Sequence, residues 1–241
     1  MEFNENLQTK KMHTNESGEY TEKRKELHNE IISFFIDKIE QDENNSVVDA
    51  VLLGGGSNSG KSTIADDLPE NMVIIDSDEI KEHIPEYKQF KKEHPLLAAR
   101  YVHDESSDIS KSLLQQTIND SIAFIYDGTM KNVEKYQSII KDLKSKGYFV
   151  TLIIVDVPIE IAKERNQVRY MKTGRMVPES ILMETHQAIP SSYLALKDYA
   201  DEYYLYDTRN GDPVLIAEKN QEKGEIVYES ELLEEFLKKM N

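Results

Sequence analysis

Apolar residues fall along this chain in two rhythms. At the front, Leu27, Ile31, Phe34, Phe35 and Ile39 recur at helical spacing. They predict a helix over Tyr20–Gln41 with one face against a core. Ahead of it, Met1 to about Gly18 carries no such stripe and reads as a flexible leader. From about Ser46 the rhythm changes to short continuous apolar runs. Val47, Val48, Val51, Leu52 and Leu53 mark a first buried strand; Met72–Asp76, Ser121–Tyr126 and Tyr148–Val155 mark three more, and Glu202–Tyr206 a weaker fifth. Runs that are apolar throughout, rather than alternating, belong to parallel sheets covered on both faces. Between them lie helical segments over Leu96–Asn119, Val133–Lys146, Ile159–Met171 and Glu179–Ala200. Alternating strand and helix implies right-handed crossovers. The expected fold class is therefore α/β: a doubly wound, mostly parallel five-stranded sheet with helices on both faces. The tail differs. Val214–Ala217 and Glu225–Tyr228 suit a hairpin turning through Asn220–Gly224. Ser230–Lys239 suits a short amphipathic helix, with Ser230 a candidate N-cap. The chain divides into a leader and helix (1–45), a core (46–208) and a C-terminal hairpin and helix (209–241). There is no internal repeat.

Composition narrows this picture modestly. The 241 residues suit one α/β domain with appendages, and the 39% apolar and 31% charged fractions suit a core wrapped in polar helices. A net charge of −16 without a basic stripe argues against nucleic acid as a partner. The chain has no cysteine, which removes disulfides, thiolate metal sites and a catalytic thiol. No apolar run approaches the ~20 residues of a membrane span. The polar start, Met1–Thr21, lacks the apolar stretch of a secretory signal.

The chemistry begins at Gly55-Gly56-Ser57-Asn58-Ser59-Gly60-Lys61-Ser62, which fits G-x-x-x-x-G-K-[ST], the phosphate-binding loop of P-loop NTPases. A buried strand precedes it, and Thr63 onward can open a helix, the order the motif requires. Glycines let backbone amides converge on phosphate oxygens, and the helix N-terminus adds positive potential. Gly55 to Thr63 are thus the ATP-binding candidates. Lys61 reaches the β- and γ-phosphates, and the Ser62 hydroxyl sits on Mg²⁺. ATP use and the missing signal point to the cytoplasm.

The loop specifies a nucleotide, not a reaction. Neither an Asn-Lys-x-Asp guanine motif nor a Leu-Ser-Gly-Gly-Gln transporter signature is present, which leaves a small-molecule kinase. The second strand ends Asp76-Ser77-Asp78-Glu79, at the crevice where such sheets bind ligands. One carboxylate there can deprotonate an acceptor hydroxyl and another can hold Mg²⁺; alternatively Ser77 or Asp78 caps a helix starting at Glu79. The third strand ends Asp127-Gly128-Thr129, either a substrate contact or an ordinary strand-to-helix turn. Arg165, Arg169, Lys172 and Arg175 form a basic cluster after the fourth strand. They suit a lid of arginines over the transferring phosphoryl group, or a solvated helix face, a reading that fits Arg165 and Lys172 best. His103, Asp104, Glu105, Ser106, Ser107 and Asp108 could wall an acceptor site. His186 reads as a helix-surface residue, and no His pairing suits zinc.

Together these pieces resemble the zeta toxin family. The resemblance rests on Gly-Gly-Gly-Ser-Asn-Ser-Gly-Lys-Ser at the loop, Ile-Asp-Ser-Asp-Glu, Asp-Gly-Thr, and Gly-Arg-Met-Val-Pro. It spans Val51 to about Pro178, with weaker similarity to Thr208. It implies a P-loop kinase using ATP and Mg²⁺. The studied bacterial members phosphorylate the 3′-hydroxyl of the amino sugar of UDP-N-acetylglucosamine, and a small epsilon-type antitoxin restrains them. Carried over by residue, Lys61 is the phosphate lysine and Ser62 the Mg²⁺ hydroxyl. Asp78 is the catalytic base, and Thr129 contacts the sugar nucleotide. Arg175 and Arg169 are the phosphate-sensing arginines. Asp76, Glu105 and Asp127 are grouped with Thr129 on the substrate side. This chain departs from the family in three places. Asp127 stands where the family has Glu. A substrate-contacting glutamate of the long helix aligns with Lys111, with Glu105 about two turns away. The lid segment is shorter. The departures concentrate on the acceptor side, so a kinase of another small metabolite or nucleoside, and a nucleotide-dependent switch with little turnover, stay open.

Overall fold

The computed structural model describes residues 3–39, 47–65, 68–173 and 176–240. Helices α1 (Thr9–His13) and α2 (Glu22–Ile36) precede strand β1 (Val48–Gly55). The phosphate-loop sequence follows and runs into α3 (Lys61–Ala65). Strand β2 (Val73–Asp76) leads into α4 (Ser77–Glu82), α5 (Pro85–Glu93), α6 (Ala98–Tyr101) and α7 (His103–Asn119). Then come β3 (Phe124–Asp127), α8 (Val133–Ser145), β4 (Tyr148–Asp156), α9 (Ile159–Thr173) and α10 (Glu179–Leu196). The chain finishes with β5 (Glu202–Asp207), β6 (Val214–Asn220), β7 (Gly224–Val227) and α11 (Ser230–Lys238).

The strands form a single sheet in the order β2-β3-β1-β4-β5-β6-β7. The first five are parallel. The strand feeding the phosphate loop therefore lies in the middle, between β3 and β4. Its C-terminal end meets those of β2 and β3, where Asp76 and Asp127 are register partners. The sheet has seven strands rather than five. The expected tail hairpin does form, but β6 pairs antiparallel with β5 and carries β7 at the new edge.

The two faces of the sheet are covered unequally. Ala50 and Leu52 of β1, Ile75 of β2, Phe124 of β3 and Leu152 of β4 point to a large core capped by α2, α7, α8, α10 and α11. Val51, Leu53, Ile125, Ile153 and Val155 face a smaller cluster closed by Ile64 of α3 and by Met72. No helix among the described residues is long and apolar enough to cross a membrane.

The largest correction concerns the N-terminus. The leader expected to be flexible forms a short turn at Glu5–Leu7 and then α1, with Thr9 fully buried. The following helix spans Glu22–Ile36, shorter than Tyr20–Gln41; residues 40–46 lie outside the described residues. The reason is ionic. Arg24, 6% exposed, forks onto Glu105 with its Nε at 2.5 Å and an Nη at 2.8 Å, and onto Glu86 at 3.0 and 2.9 Å. His28 meets Glu105 at 2.7 Å and His13 meets Glu86 at 2.6 Å. Tyr20 donates to Asp108, and Lys10 pairs with it. A polar segment thus docks because its charges find partners on α5 and α7. Smaller differences follow local chemistry. The helix expected over Leu96–Asn119 breaks at Val102 into α6 and α7. Glu229, not Ser230, holds the cap position of α11.

Burial alone would raise the Glu105 carboxyl, but its bonds to Arg24 and His28 prevail and hold it at about 2. A depressed acid stabilises the fold above its unfolded pKa, and that stability is lost as pH falls through the folded value. Wild-type stability should therefore drop as pH goes from about 4.5 to 2 through this group. Replacing Arg24 with Met, which leaves a buried carboxylate short of its main partner, should cost about 3–5 kcal/mol in urea unfolding at pH 7. It should also flatten the acid slope.

Candidate active site

Gly55 closes β1, and the chain then turns sharply before α3 begins at Lys61. Asn58 takes a left-handed backbone (φ 62°), a conformation Asn tolerates better than most residues. At Gly56 a side chain is impossible: a Cβ would lie 2.5 Å from the His186 ring. The amides of Gly60, Lys61 and Ser62 open a helix, where no intrahelical acceptor exists. Ser59 Oγ is buried with no partner among the described residues. A cradle of inward amides and a hydroxyl without a partner fit a phosphate chain. The Ser62 and Thr63 side chains are exposed on the first turn of α3. Among the described residues no group of three His, Asp or Glu side chains could hold a metal alone. Mg²⁺ at such sites takes one or two protein oxygens plus phosphate and water, so Ser62 with a carboxylate from β2 or β3 suits it.

Lys61 Nζ lies 3.5 Å from the Gly55 carbonyl and 3.8 Å from Asp127 Oδ1. Asp76 and Asp127 both feel its charge, and both feel that of Asp78. Burial, and secondarily the Asp76 and Asp78 charges, push Asp127 up to about 6 against the pull of Lys61. Burial also raises Asp76. The cap of α4 is Asp76, whose Oδ1 accepts the Asp78 amide at 2.7 Å, and neither Ser77 nor Asp78. Capping therefore leaves the Asp78 carboxyl at the mouth of the cleft. There it accepts from Lys81 at 2.6 Å, and Arg169 of α9 lies 3.6 Å away. Arg169 also reaches the Asn58 side chain at 3.5 Å. The loop, the Asp78 carboxylate of α4 and helix α9 thus converge on one space.

Thr129 lies just beyond β3 and is half-buried. At the neighbouring Gly128 a Cβ would sit 2.2 Å from the Tyr136 hydroxyl. Glu105 is not at the cleft: it is fully buried on the Arg24 side of α7. Asp104 and Asp108 also contact the N-terminal segment. Of that polar group His103 faces the Lys81–Asp78 pair, and burial lowers its pKa. Arg175 and Gly174 lie outside the described residues. Arg165 is not a solvated residue: it donates to the Thr208 carbonyl at 2.5 Å and the Thr208 hydroxyl at 3.0 Å.

Several neighbours of the loop were not foreseen. His186, expected on the surface, is 1% exposed, and its Nε2 lies 2.9 Å from the Ser57 carbonyl. Burial pushes it down to about 4. Thr185 accepts the Ser57 amide at 3.1 Å. The Asn166 side chain brackets Val177 through both its N–H and C=O, tying the segment before α10 to α9. A signal existed for His186: it sits four after Leu182 and three before Ile189, on the buried stripe of α10.

Residues 36–221 match the family model described as zeta toxin. The chain belongs to the zeta toxin family. It is 26% identical over 176 residues to toxin PezT of Streptococcus pneumoniae, covering 71% of this chain and 66% of that one. It is 26% identical over 113 residues to toxin zeta of Streptococcus agalactiae, 45% of this chain and 39% of that one. The chain thus spans less than two thirds of these relatives' length. Among solved structures, that of the PezAT toxin–antitoxin system of S. pneumoniae superposes with a TM-score of 0.69 at 20% identity, over 92% of this chain and 97% of that one. AvrRxo1-ORF1:-ORF2 with ATP gives 0.75 at 18%, over 94% and 76%. At these identities the likeness is one of fold, a P-loop kinase-type α/β sheet.

Asp127 generates a test. An acid raised in the folded state binds its proton more tightly there than when unfolded. Its contribution to stability is therefore lost as pH rises from about 4 to about 6. Asp127→Asn should raise the urea midpoint of the nucleotide-free protein at pH 7.5, by about 1–3 kcal/mol of stability. The gain should fade toward pH 4.

Proposed function

We propose that the chain is an ATP- and Mg²⁺-dependent kinase that transfers the γ-phosphate to a hydroxyl, with a UDP-activated amino sugar as acceptor. The observation that carries this reading is the position of Asp78. It lies at the cleft on the C-terminal end of β2, with Lys61 of the phosphate loop beside the same carboxylate cluster and Arg169 3.6 Å away. An acid at that point can orient an incoming alcohol and take its proton. Lys61 and Arg169 supply the cationic charge that a transferring phosphoryl group requires, and Arg175 belongs to the same set. Gly55 to Thr63 hold the phosphates. Ser62, with a carboxylate of Asp76 or Asp127, would hold Mg²⁺, which neutralises phosphate charge when bound. On this reading Asp127 and Thr129 face the acceptor.

Family membership supports the reaction class. The acceptor rests on the resemblance, and Asp127 and Lys111 mark where this chain departs from it. A small inhibitory protein is the partner this reading implies. The pneumococcal neighbour is described as part of a toxin–antitoxin system, and AvrRxo1-ORF1 is described together with AvrRxo1-ORF2. The reading places the protein in the cytoplasm, where ATP and sugar nucleotides are available.

Incubation with ATP, Mg²⁺ and a panel of UDP-sugars and nucleosides, followed by phosphorus NMR, tests this. A phosphomonoester on a UDP-sugar is the expected product; one on a nucleoside reassigns the acceptor. ADP release without a phosphorylated acceptor points to a nucleotide switch. Asp78→Asn should lower turnover by ~10²–10⁴ while ATP still binds.

A further inference from the structure

A loop that turns amides toward a ligand has to turn carbonyls away from it, because each planar peptide directs its C=O and the next N–H in opposite directions. Those outward carbonyls cannot be left dry. In this loop three of them are met by side chains from distant elements: the Asn58 carbonyl by Arg165 at 3.5 Å, and two others at shorter range. The Ser57 carbonyl lies 2.9 Å from His186 Nε2. A carbonyl only accepts, so Nε2 carries the proton and the ring is a donor there. The Ser59 carbonyl accepts from the Thr208 hydroxyl at 2.5 Å. That hydroxyl has one proton, and the Ser59 distance is much shorter than the 3.4 Å to the Asp156 carbonyl. Arg165 fills the remaining acceptor capacity of the same oxygen at 3.0 Å and grips the Thr208 carbonyl at 2.5 Å. His186 and Thr208 are each 1% exposed, so water cannot substitute for either.

The peptides concerned are Ser57–Asn58 and Ser59–Gly60. Fixing their carbonyls outward leaves the amides of Asn58 and Gly60 directed to the opposite side. The neighbouring Ser57 amide is held by Thr185 at 3.1 Å, and the Ser59 amide closes a turn onto the Gly56 carbonyl at 3.1 Å. The loop's amides are thereby sorted into those used by the protein and those left for a ligand.

We propose that His186 and Thr208 are positioning residues for the phosphate loop, setting which of its amides face the nucleotide by holding the Ser57 and Ser59 carbonyls outward. The proposal rests on the kinase reading only in requiring that this loop bind a nucleoside triphosphate. It attaches the loop's polarity to α10 and to the end of β5, with Arg165 of α9 bonded to the same threonine.

Thr208→Val keeps the shape and removes the donor; Thr208→Ser keeps the donor. At His186, Leu removes the donor and Gln retains an amide N–H. The full-length variants are titrated with ATP and Mg²⁺ by calorimetry, and the thermal midpoint of each is measured without nucleotide. Thr208→Val and His186→Leu should each weaken ATP binding by about tenfold, the factor expected for a buried carbonyl losing its donor. Thr208→Ser and His186→Gln should recover affinity to within about threefold of wild type. Unchanged ATP affinity in the folded Val and Leu variants, whatever their thermal midpoints, overturns the proposal. So does failure of the Ser and Gln variants to recover affinity. A wild-type chain that binds no ATP overturns the functional reading together with the proposal.

Discussion

The carboxylates at the ends of β2 and β3 and the lysine of the phosphate loop constrain one another, and much of the site's behaviour follows. Parallel pairing puts Asp76 and Asp127 side by side, and α4 begins at once so that Asp78 joins them. Like charges this close, partly desolvated, resist ionisation. Lys61 offsets part of that cost at 3.8 Å, and Lys81 and Arg169 meet Asp78 from either side. The arrangement is costly to the free protein and useful to a bound phosphate. On the proposed reading, an anion arriving in the loop would draw on Lys61, and Asp78 would keep a basic position near an incoming hydroxyl. A site of this kind is unstable for the reason that it is reactive.

How much of this was legible in the sequence depends on the range of the interactions. The strand, glycine-rich turn and helix around Lys61 are encoded within about twenty consecutive residues, and the motif carries its own geometry. The parallel strands were legible from their continuous apolar runs. What supports the loop from behind was not. Thr185, His186 and Thr208 stand 128 to 149 residues from their partners, and no local pattern announces a pairing of that range. The polar residues of the N-terminal segment misled for the same reason. Arg24 and His28 fall three before Leu27 and Ile31, on the apolar stripe of α2, and so point inward with it. A charged residue on a buried stripe implies an opposite charge facing it, which Glu105 and Glu86 supply. That pattern was available; the identity of the partners was not.

The tail shows a milder version of the same limit. The hairpin could be read from its alternation and turn residues, but its destination could not, because the exposed edge of β5 is a tertiary feature. Docking β6 there buries Ile216 and Ala217 and lets α11 close over the large core with Phe236. Lys239 then reaches the Asp156 carboxylate at 2.6 Å and the Val157 carbonyl at 2.7 Å, at the very end of β4. Asp156 is nearly buried, and the Thr208 amide bonds to its carbonyl. The C-terminal helix is thus joined to the segment that supports the phosphate loop, and an appendage by sequence is part of the site's framework by contact.

The acceptor side is where this chain has most room to differ from its family. Asp127 is one methylene shorter than the glutamate of the family pattern, about 1.5 Å of reach. A shorter acid stays near its own strand end, close to Lys61, which is where burial and the two neighbouring carboxylates raise it to about 6. A longer acid could extend past that cluster toward a substrate. On α7, Lys111 stands exposed and pairs with Asp108, while Glu105 is committed to Arg24. Two acids are therefore drawn back, one toward the loop lysine and one into the N-terminal ion cluster, and a cation is left on the same helix as the second. The phosphate end of the cleft keeps the residues of the family's motif, as a shared triphosphate would require. The acceptor end departs from it at Asp127 and Lys111, as a different acceptor would allow.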